Sequence, residues 1–198
     1  GIDFTSITKP YSNANEWFRN GYLLSMNFSN TQLQYTCFVG VNFGSVYFQG
    51  DLDLINFSNT SFGFAIFERV SAQNLDFSYA ELSGDVIFSD LRDLMNVTFY
   101  MATLDNVKFL ARDGSTRFGK NNFNFAHMKQ IEFLNLPFSQ SSFINTTIND
   151  STFFTSYFED CLLMNMTMSN VIFQGSIIDV NLENANFQDN VTFSEYTY

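Results

Sequence analysis

The side chains that could do chemistry in this chain are few and lie far apart. Its 198 residues contain a single histidine, His127, and two cysteines, Cys37 and Cys161. A structural zinc site takes about four Cys, His or carboxylate ligands, and a hydrolytic triad needs a base beside its nucleophile. One histidine and two distant cysteines supply neither arrangement, nor do they make a disulfide framework. The sequence therefore predicts no catalytic residue, no metal site and no cofactor.

Neighbouring carboxylates are the remaining candidates for chemistry. Asp51 lies near Asp53, and Glu159 precedes Asp160. Such a pair can act as acid and base when burial or a like charge raises one pKa. We expect all four at outward corners, where water solvates both forms. No glycine-rich phosphate loop is present either, so we expect that the chain is not an enzyme.

The element that positions these residues has a period of five. A large apolar residue returns at each fifth position in an unbroken series: Phe118, Phe123, Met128, Phe133, Phe138, Phe143, Ile148, Phe153, Phe158, Leu163, Met168, Phe173 and Ile178. A helix repeats every 3.6 residues or so, a strand about every 2 and a coiled coil about every 3.5. A period of five therefore fits none of them.

The same frame occurs before and after this series, with slips. The earlier positions are Leu23, Phe28, Leu33, Phe38, Phe43 and Phe48, then Leu52, Phe57, Phe62, Phe67, Phe77 and Leu82, and then Leu94, Phe99, Leu104 and Phe109. Residues 83–93 are irregular around Phe88. After Ile178 the frame slips again to Leu182, Phe187 and Phe193. An internal repeat of this kind is typical of a solenoid.

The period predicts a chain that turns a corner after every five residues. The large residue and the residue two before it, such as Leu163 and Cys161, point inward, and the other three point outward. Four sides close a coil of about twenty residues, and successive coils stack at about 4.8 Å through strand hydrogen bonds. Residues twenty apart should form columns in the core, one of them being Phe118, Phe138, Phe158 and Ile178. The sequence thus predicts an all-β solenoid of about eight coils.

Composition agrees with a solenoid whose core is made of phenylalanine. The chain has 26 Phe, 45% hydrophobic residues and only 15% charged residues. No apolar run is long enough for a transmembrane helix, so no membrane span is expected. We expect the aromatic rings to form a core rather than a cofactor site.

Three regions lie outside the repeat, which we place at 23–193. Residues 1–22 are expected to cap the first coil, with Ser12 or Asn13 starting a short helix through Trp17 and Phe18. An insertion near 110–117 carries turn residues and basic side chains, and we predict partner binding there at Arg112, Arg117 and Lys120. The C-terminal end, 194–198, looks too short to cap the last coil. We expect end-to-end contact through Phe193, Tyr196 and Tyr198 in a homodimer, or a chain that is a piece of a larger protein.

Charge is distributed unevenly along the chain. The net charge is −11, and no Lys or Arg follows Lys129. An acidic rod could attract a basic protein partner and would repel nucleic acid. The acidic residues predicted to bind a partner are Glu132, Asp150, Glu159, Asp160 and Asp179.

The motifs resemble those of the pentapeptide-repeat family, whose loose consensus is a small residue, Asp or Asn, Leu or Phe, and two variable residues. The segments that carry the resemblance are "LSMNFSNTQL", "VNFGSVYF", "LINFSNTSF" and "ENANFQDNVTF". It covers about residues 23–193 and implies a right-handed quadrilateral β-helix. Here Phe replaces Leu at most centres, and Ala is rare at the small inward position.

The resemblance leaves three functional classes open. Phe-centred repeats are similar to the β-helix domains of bacterial type III secreted effectors, which implies a scaffold that binds a host protein after secretion into the host cell. Any activity, such as ubiquitin ligation, would then lie outside this chain. Acidic members of the quinolone-resistance type imply a cytoplasmic DNA mimic that inhibits a type II topoisomerase. Frequent Asn-x-Ser/Thr sequons would fit a third class, an extracellular structural rod, which we rank last.

Overall fold

The computed structural model of this protein describes residues 2–3 and 18–195. These residues form strands, turns and bends, and no helix occurs among them. The predicted capping helix up to Trp17 lies outside the described residues. Phe18, the next residue, stacks on Phe38 of the first coil with ring centroids 5.0 Å apart.

The strands are short and follow one another around the coil. In the first half they are β1 (Ile2–Asp3), β2 (Tyr22–Leu23), β3 (Met26–Ser29), β4 (Asn42–Phe43), β5 (Val46–Asp51), β6 (Ser61–Phe62), β7 (Ala65–Gln73), β8 (Glu81–Leu91), β9 (Asp93–Met95) and β10 (Thr103–Ala111). In the second half they are β11 (Arg117–Gly119), β12 (His127–Lys129), β13 (Glu132–Leu134), β14 (Pro137–Ser139), β15 (Thr147–Asn149), β16 (Thr152–Glu159), β17 (Thr167–Ser169), β18 (Ile172–Ile178), β19 (Asn186–Gln188) and β20 (Thr192–Ser194).

Parallel pairing between successive turns builds the solenoid. β12 pairs with β15 and β15 with β17, so that Met128, Ile148 and Met168 lie one above another. β13, β16, β18 and β20 repeat the arrangement on the next side. The described residues make about nine turns. The predicted all-β solenoid is confirmed.

Four columns of inward-facing residues define four faces. Face 1 has the centres Leu23, Phe43, Phe62, Leu82, Leu104, Met128, Ile148, Met168 and Phe187. Face 2 has Phe28, Phe48, Phe67, Phe88, Phe109, Phe133, Phe153, Phe173 and Phe193. Face 3 includes Ala72, Leu94, Phe118, Phe138, Phe158 and Ile177. Face 4 has Phe38, Phe57, Phe77, Phe99, Phe123, Phe143, Leu163 and Leu182, and bridges join the residues just before these centres.

One predicted column is wrong at its last member. Phe158 pairs with Ile177, and Ile178 pairs with Glu159 instead. The register shifts where Phe154 pairs with Gln174 and Ser156 with Gly175, so the slip occurs before Ile178 and not after it. Both isoleucines are apolar, and the sequence frame alone therefore favoured the wrong one.

The phenylalanine rings stack along each column at about the strand spacing. On face 4, the centroid of Phe99 lies 5.1 Å from that of Phe77 and 4.9 Å from that of Phe123. The ring planes in both contacts differ by less than about 5°, in the offset geometry that aromatic pairs favour. One continuous hydrophobic cluster, with most members fully buried, therefore fills the solenoid.

The corners explain why Asn and Asp are frequent. The residue two after a centre usually adopts positive φ, as Asn59, Asn145 and Asn165 do at 54–56°. Asn and Asp tolerate this left-handed conformation better than other residues with a side chain. On face 4, Asn56 also accepts a hydrogen bond from the Ser58 amide at 2.8 Å, which holds the turn locally.

Residues 112–116 interrupt the frame between faces 2 and 3. The Asp113 carboxylate accepts the Ser115 amide at 2.9 Å, and the Thr116 hydroxyl donates to the Leu91 carbonyl of the preceding turn at 2.8 Å. After this turn, the side chain of Asn121 forms hydrogen bonds with backbone groups of the preceding turn. Its side chain accepts from the Val97 amide at 2.9 Å and donates to the Leu94 carbonyl at 3.1 Å.

Candidate interaction surfaces

The histidine and the cysteines differ in their exposure to solvent. His127 is exposed on face 1. Cys161 is buried, and burial raises the pKa of its thiol. Its Sγ contacts the Phe138 carbonyl at 2.8 Å as a donor. Within residues 2–3 and 18–195, no group of three or more His, Cys, Asp and Glu side chains could hold a metal ion.

Face 3 brings together three of the five acidic residues predicted to bind a partner. Glu159 and Asp160 end one turn, and Asp179 lies at the same corner of the next turn, because the Asp160 amide donates to the Ile178 carbonyl at 3.2 Å. All three are exposed. They form a small carboxylate cluster near the C-terminal end, named here the acidic corner.

The other two predicted acidic residues lie elsewhere. Glu132 is on face 2, where its carboxylate is 3.0 Å from the Lys108 ammonium group. Asp150 is on face 1 and accepts a hydrogen bond from the Asn170 amide group at 3.1 Å. A single continuous acidic surface is therefore not formed by the five residues.

The predicted basic residues surround the 112–116 turn. Arg117 binds Asp93 with two hydrogen bonds, at 2.7 and 2.9 Å, and this contact lowers the pKa of the Asp93 carboxyl group. Lys120 is exposed at the corner after Phe118, in the column that continues to Asp160. Arg112 is exposed on the turn itself and lines a cavity. Arg117 is therefore engaged within the chain, whereas Arg112 and Lys120 extend into solvent.

An exposed apolar surface on face 4 was not predicted from the sequence. Tyr79, Met101 and Phe125 are 54%, 43% and 40% exposed, one above another in successive turns. Tyr100 packs edge-on against both aromatic neighbours, with centroids 5.8 Å from Tyr79 and 5.6 Å from Phe125. We name these four residues the aromatic stripe. Large residues at positions where this repeat favours Asn were the signal that could have found it.

The aromatic stripe is also conformationally unfavourable. Tyr79, Met101 and Phe125 have φ of 59°, 54° and 61°. A left-handed backbone costs roughly 1–2 kcal/mol for a residue with Cβ, and Asn lowers that cost through local hydrogen bonds. Other turns have Asn at the same corner of face 4, namely Asn59 and Asn145. Here the chain exposes large side chains instead.

The last described turn leaves its core residues open. Its four inward centres, Ile177, Leu182, Phe187 and Phe193, are 37–45% exposed, whereas the centres of the preceding turn are buried. Phe193 therefore lies where end-to-end contact was predicted. Tyr196 and Tyr198, the other two residues of that prediction, lie outside the described residues.

No helix long and apolar enough to cross a membrane occurs in the described part of the chain.

The register and the columns define the class of protein. The chain is a β-solenoid with four faces per turn and Phe-centred five-residue repeats. No family model matches it, and no curated protein does.

Its neighbours among solved structures are pentapeptide-repeat proteins. One is a trypsin-treated form of QnrB1, a plasmid-mediated fluoroquinolone resistance protein: identity is 13%, 89% of this chain and 86% of that chain are covered, and the TM-score is 0.43. Another is HetL, a pentapeptide-repeat protein involved in heterocyst differentiation regulation in Nostoc sp. strain PCC 7120. For HetL the identity is 12%, the coverage 85% and 88%, and the TM-score 0.23. At these values the fold rests on the strand register described above.

Proposed function

We propose that this solenoid is a non-enzymatic protein–protein interaction module, the β-helix domain of a bacterial secreted effector that binds a host protein. The aromatic stripe carries the proposal. Exposed aromatic residues are enriched at protein interfaces, because they bury a large area at low cost in side-chain entropy. The chain keeps two such residues, Tyr79 and Phe125, together with Met101, at left-handed corners where Asn is favoured, which indicates a role other than stability.

A pair of matched variants tests the host-protein proposal. Tyr79→Asn, Met101→Asn and Phe125→Asn together remove the three corner residues of the aromatic stripe while preserving corner geometry. Tyr35→Asn is the control, because Tyr35 has the same conformation (φ 63°) and is exposed on face 3. Both variants and the unaltered chain are used to capture proteins from host-cell lysate, and candidates are then titrated as purified proteins.

The expected result is a partner that binds the unaltered chain and the control equally and the triple variant at least tenfold more weakly. A partner that binds all three equally would remove the stripe from the interface. A lysate in which no protein is enriched over a charge-matched solenoid would contradict the proposal.

The acidic corner favours a second candidate function, inhibition of a bacterial type II topoisomerase in the cytoplasm by DNA mimicry. Glu159, Asp160 and Asp179 are exposed side by side on the surface of the solenoid, and the repulsion of phosphate from this surface argues against direct nucleic-acid binding. The test is supercoiling by DNA gyrase with the chain titrated in. Inhibition should be lost in a Glu159→Gln, Asp160→Asn, Asp179→Asn variant.

A charge-matched control makes the gyrase test specific. Asp51→Asn, Glu81→Gln and Asp85→Asn remove the same charge from exposed positions far from the acidic corner. If the control loses inhibition equally, net charge alone is responsible. If the unaltered chain does not inhibit gyrase at micromolar concentration, the effector proposal remains.

End-to-end pairing would accompany the second candidate. The exposed centres of the last described turn, Phe193 among them, are apolar surface that a second copy could cover. Sedimentation equilibrium of the unaltered chain and of the Phe193→Glu variant tests this pairing. A dimer that is lost in the variant supports end-to-end pairing. An unaltered chain that is monomeric at all concentrations contradicts it.

A further inference from the structure

The aromatic stripe and the acidic corner lie on the same side of the solenoid. The stripe runs along face 4 from Tyr79 to Phe125. The acidic corner borders face 4 on later turns, because Asp160 directly precedes the segment of face 4 that contains Leu162. Tyr79 and Leu162 are four turns apart, which is about 19 Å at the spacing of parallel strands.

Apolar side chains occupy the interval between the two surfaces. Leu162 is 41% exposed, and Ile144 and Met164 are partly exposed on the outer side of face 4. Ile144 and Met164 lie one above the other, because the Phe125 amide donates to the Ile144 carbonyl at 2.9 Å and the Asn145 amide to the Met164 carbonyl at 3.0 Å. We name Ile144, Leu162 and Met164 the apolar bridge. It joins the aromatic stripe and the acidic corner into one continuous surface.

The charge of this surface changes along the axis of the solenoid. The corner column between faces 3 and 4 carries Lys120 and then, two turns later, Asp160. Asp179 follows Asp160 on the next turn, and Glu183 is a further exposed carboxylate on face 4. No Lys or Arg follows Lys129 in the sequence. A partner that covers the whole surface must therefore present apolar side chains along most of its length and positive charge at one end.

Backbone pairing within face 4 limits the conformation of such a partner. The amides of Phe99, Phe123 and Phe143 donate to carbonyls of the next turn, each at 2.7 Å. The side of the solenoid thus presents side chains rather than a free strand edge, so an extended peptide would gain no strand pairing there. A helix needs none, because its backbone groups pair with one another.

The spacing of the turns also favours a helix that lies along the axis. Successive turns are about 4.8 Å apart, whereas residues on one side of a strand repeat about every 6.6–6.8 Å. One turn of a helix rises about 5.4 Å. Over four spacings the helix drifts from the turns by about 2.4 Å, and the strand by about 7–8 Å. Side chains on one side of a helix can therefore meet successive turns of face 4.

We propose that face 4 binds an amphipathic helix of a partner protein. Its apolar residues, spaced as i, i+4 and i+7, cover the aromatic stripe and the apolar bridge, and Lys or Arg residues at one end contact Asp160 and Asp179. This inference rests on the proposed interaction function and names the chemistry of the partner. Five turns separate Tyr79 from Asp179, about 24 Å, so a helix of about 16 residues spans the surface.

Synthetic labelled helices test the proposal by fluorescence anisotropy at low salt. Two peptides of about 18 residues carry Leu along one side and a short run of Lys in either the first or the last turn. A third peptide has Gln in place of each Lys. One of the two Lys peptides is expected to bind at least tenfold more tightly than the Gln peptide. Pro at the centre of that peptide, which breaks a helix, should weaken its binding at least tenfold.

A matched pair of leucine variants locates the apolar contact. Leu162→Asn should weaken the binding of the Lys peptide at least tenfold. Asn already occupies the equivalent position of face 4 on other turns, as Asn122 and Asn181 show, so the fold should tolerate this variant. Leu54→Asn is the control, because Leu54 is also 41% exposed but lies at a corner of face 3. It should leave peptide binding unchanged.

A second matched pair locates the charged contact. Asp160→Asn combined with Asp179→Asn should weaken the Lys peptide at least tenfold and leave the Gln peptide unaffected. Asp51→Asn combined with Asp85→Asn removes the same charge from exposed positions on early turns and should have no such effect.

Several results would overturn the proposal. They are equal binding of the Lys and Gln peptides, undiminished binding in Leu162→Asn, and equal binding of the Pro peptide, which would indicate an extended partner. A partner captured from host lysate that needs the aromatic stripe but neither Leu162 nor the two aspartates would contradict this inference alone. Expected peptide binding without any captured partner would instead contradict the effector proposal alone.

Discussion

Gly175 lies directly against the backbone of Ser156 in the preceding turn, and a Cβ atom on Gly175 would stand 1.5 Å from the Ser156 carbonyl oxygen. This contact occurs where the register of β18 against β16 shifts. Only a residue without a side chain lets the two strands approach so closely, so one glycine sets the register of the last described turn.

Gly175→Ala should therefore destabilise the C-terminal turns. Because the Cβ atom meets backbone rather than a flexible side chain, we expect a loss of about 3 kcal/mol, the upper end for overpacking. Urea unfolding, followed by far-ultraviolet circular dichroism, measures this loss of stability. Gly114→Ala is the control, since nothing lies within 4 Å of its added Cβ, and its effect should stay within about 0.5 kcal/mol. Equal stability of the two variants would contradict the register assignment.

Phe99→Ala should cost about 3–5 kcal/mol, because it opens a cavity in the middle of the face 4 column. Phe125→Asn, two residues after the next centre in that column, should instead be neutral or stabilise by up to about 1 kcal/mol, since Asn suits the left-handed backbone. Chemical unfolding of both variants checks the pair. If Phe125→Asn were as destabilising as Phe99→Ala, the aromatic stripe would be part of the core and not a binding surface.

Asn121→Leu is expected to destabilise the chain by about 1–3 kcal/mol. The substitution preserves side-chain volume but leaves the buried Val97 amide and Leu94 carbonyl without partners, and unpaired buried groups carry this cost. Hydrogen exchange of the Val97 amide should accelerate as well. Asn42→Leu, at an exposed position of β4, controls for the change of residue type. Unaltered exchange at Val97 would show that the side chain is not its acceptor.

Tyr47 should titrate abnormally. Partial burial, together with its hydrogen bond to the Glu68 carboxylate, raises the pKa of Tyr47 to about 12 from the usual 10. A raised folded-state pKa means that this contribution to stability is fully present below about pH 10 and is lost as the pH rises towards 12. NMR titration of ¹³Cζ-labelled tyrosine, with Tyr47→Phe for assignment, measures the midpoint. Glu68→Gln should lower it, and a midpoint near 10 in the unaltered chain would contradict the contact.

Much of this fold follows from the sequence because a period of five leaves only one arrangement of inward and outward residues. Phe138 and Phe158 were placed correctly in one column for that reason. The phase after Gly175 could not be predicted, since Ile177 and Ile178 are equally apolar and the decision lies in backbone contact. The site residues were harder still. Arg112 and Arg117 were found from the basic insertion, but the contact between Arg117 and Asp93 becomes visible only when β11 and β9 are known to pair.

The acidic residues depend less on the register shift. A twenty-residue register already places Asp179 beside Glu159, and the shift moves Asp179 to the corner next to Asp160. The aromatic stripe was present in the sequence as large residues, Tyr79, Met101 and Phe125, at positions where the repeat favours Asn, and the positive φ of these positions explains why such residues are unfavourable there.

The twenty-residue turns of the second half contact only the turns above and below them. A tandem copy of residues 131–150 would therefore enter the stack as one more layer, pairing with the original residues 131–150 on one side and with the turn that begins at Ser151 on the other. The distance between a site on an early turn and one on a late turn would grow by a single strand spacing, about 4.8 Å, for each added copy. The number of turns therefore sets the separation of two binding surfaces, and this separation can be changed without altering the residues of either surface.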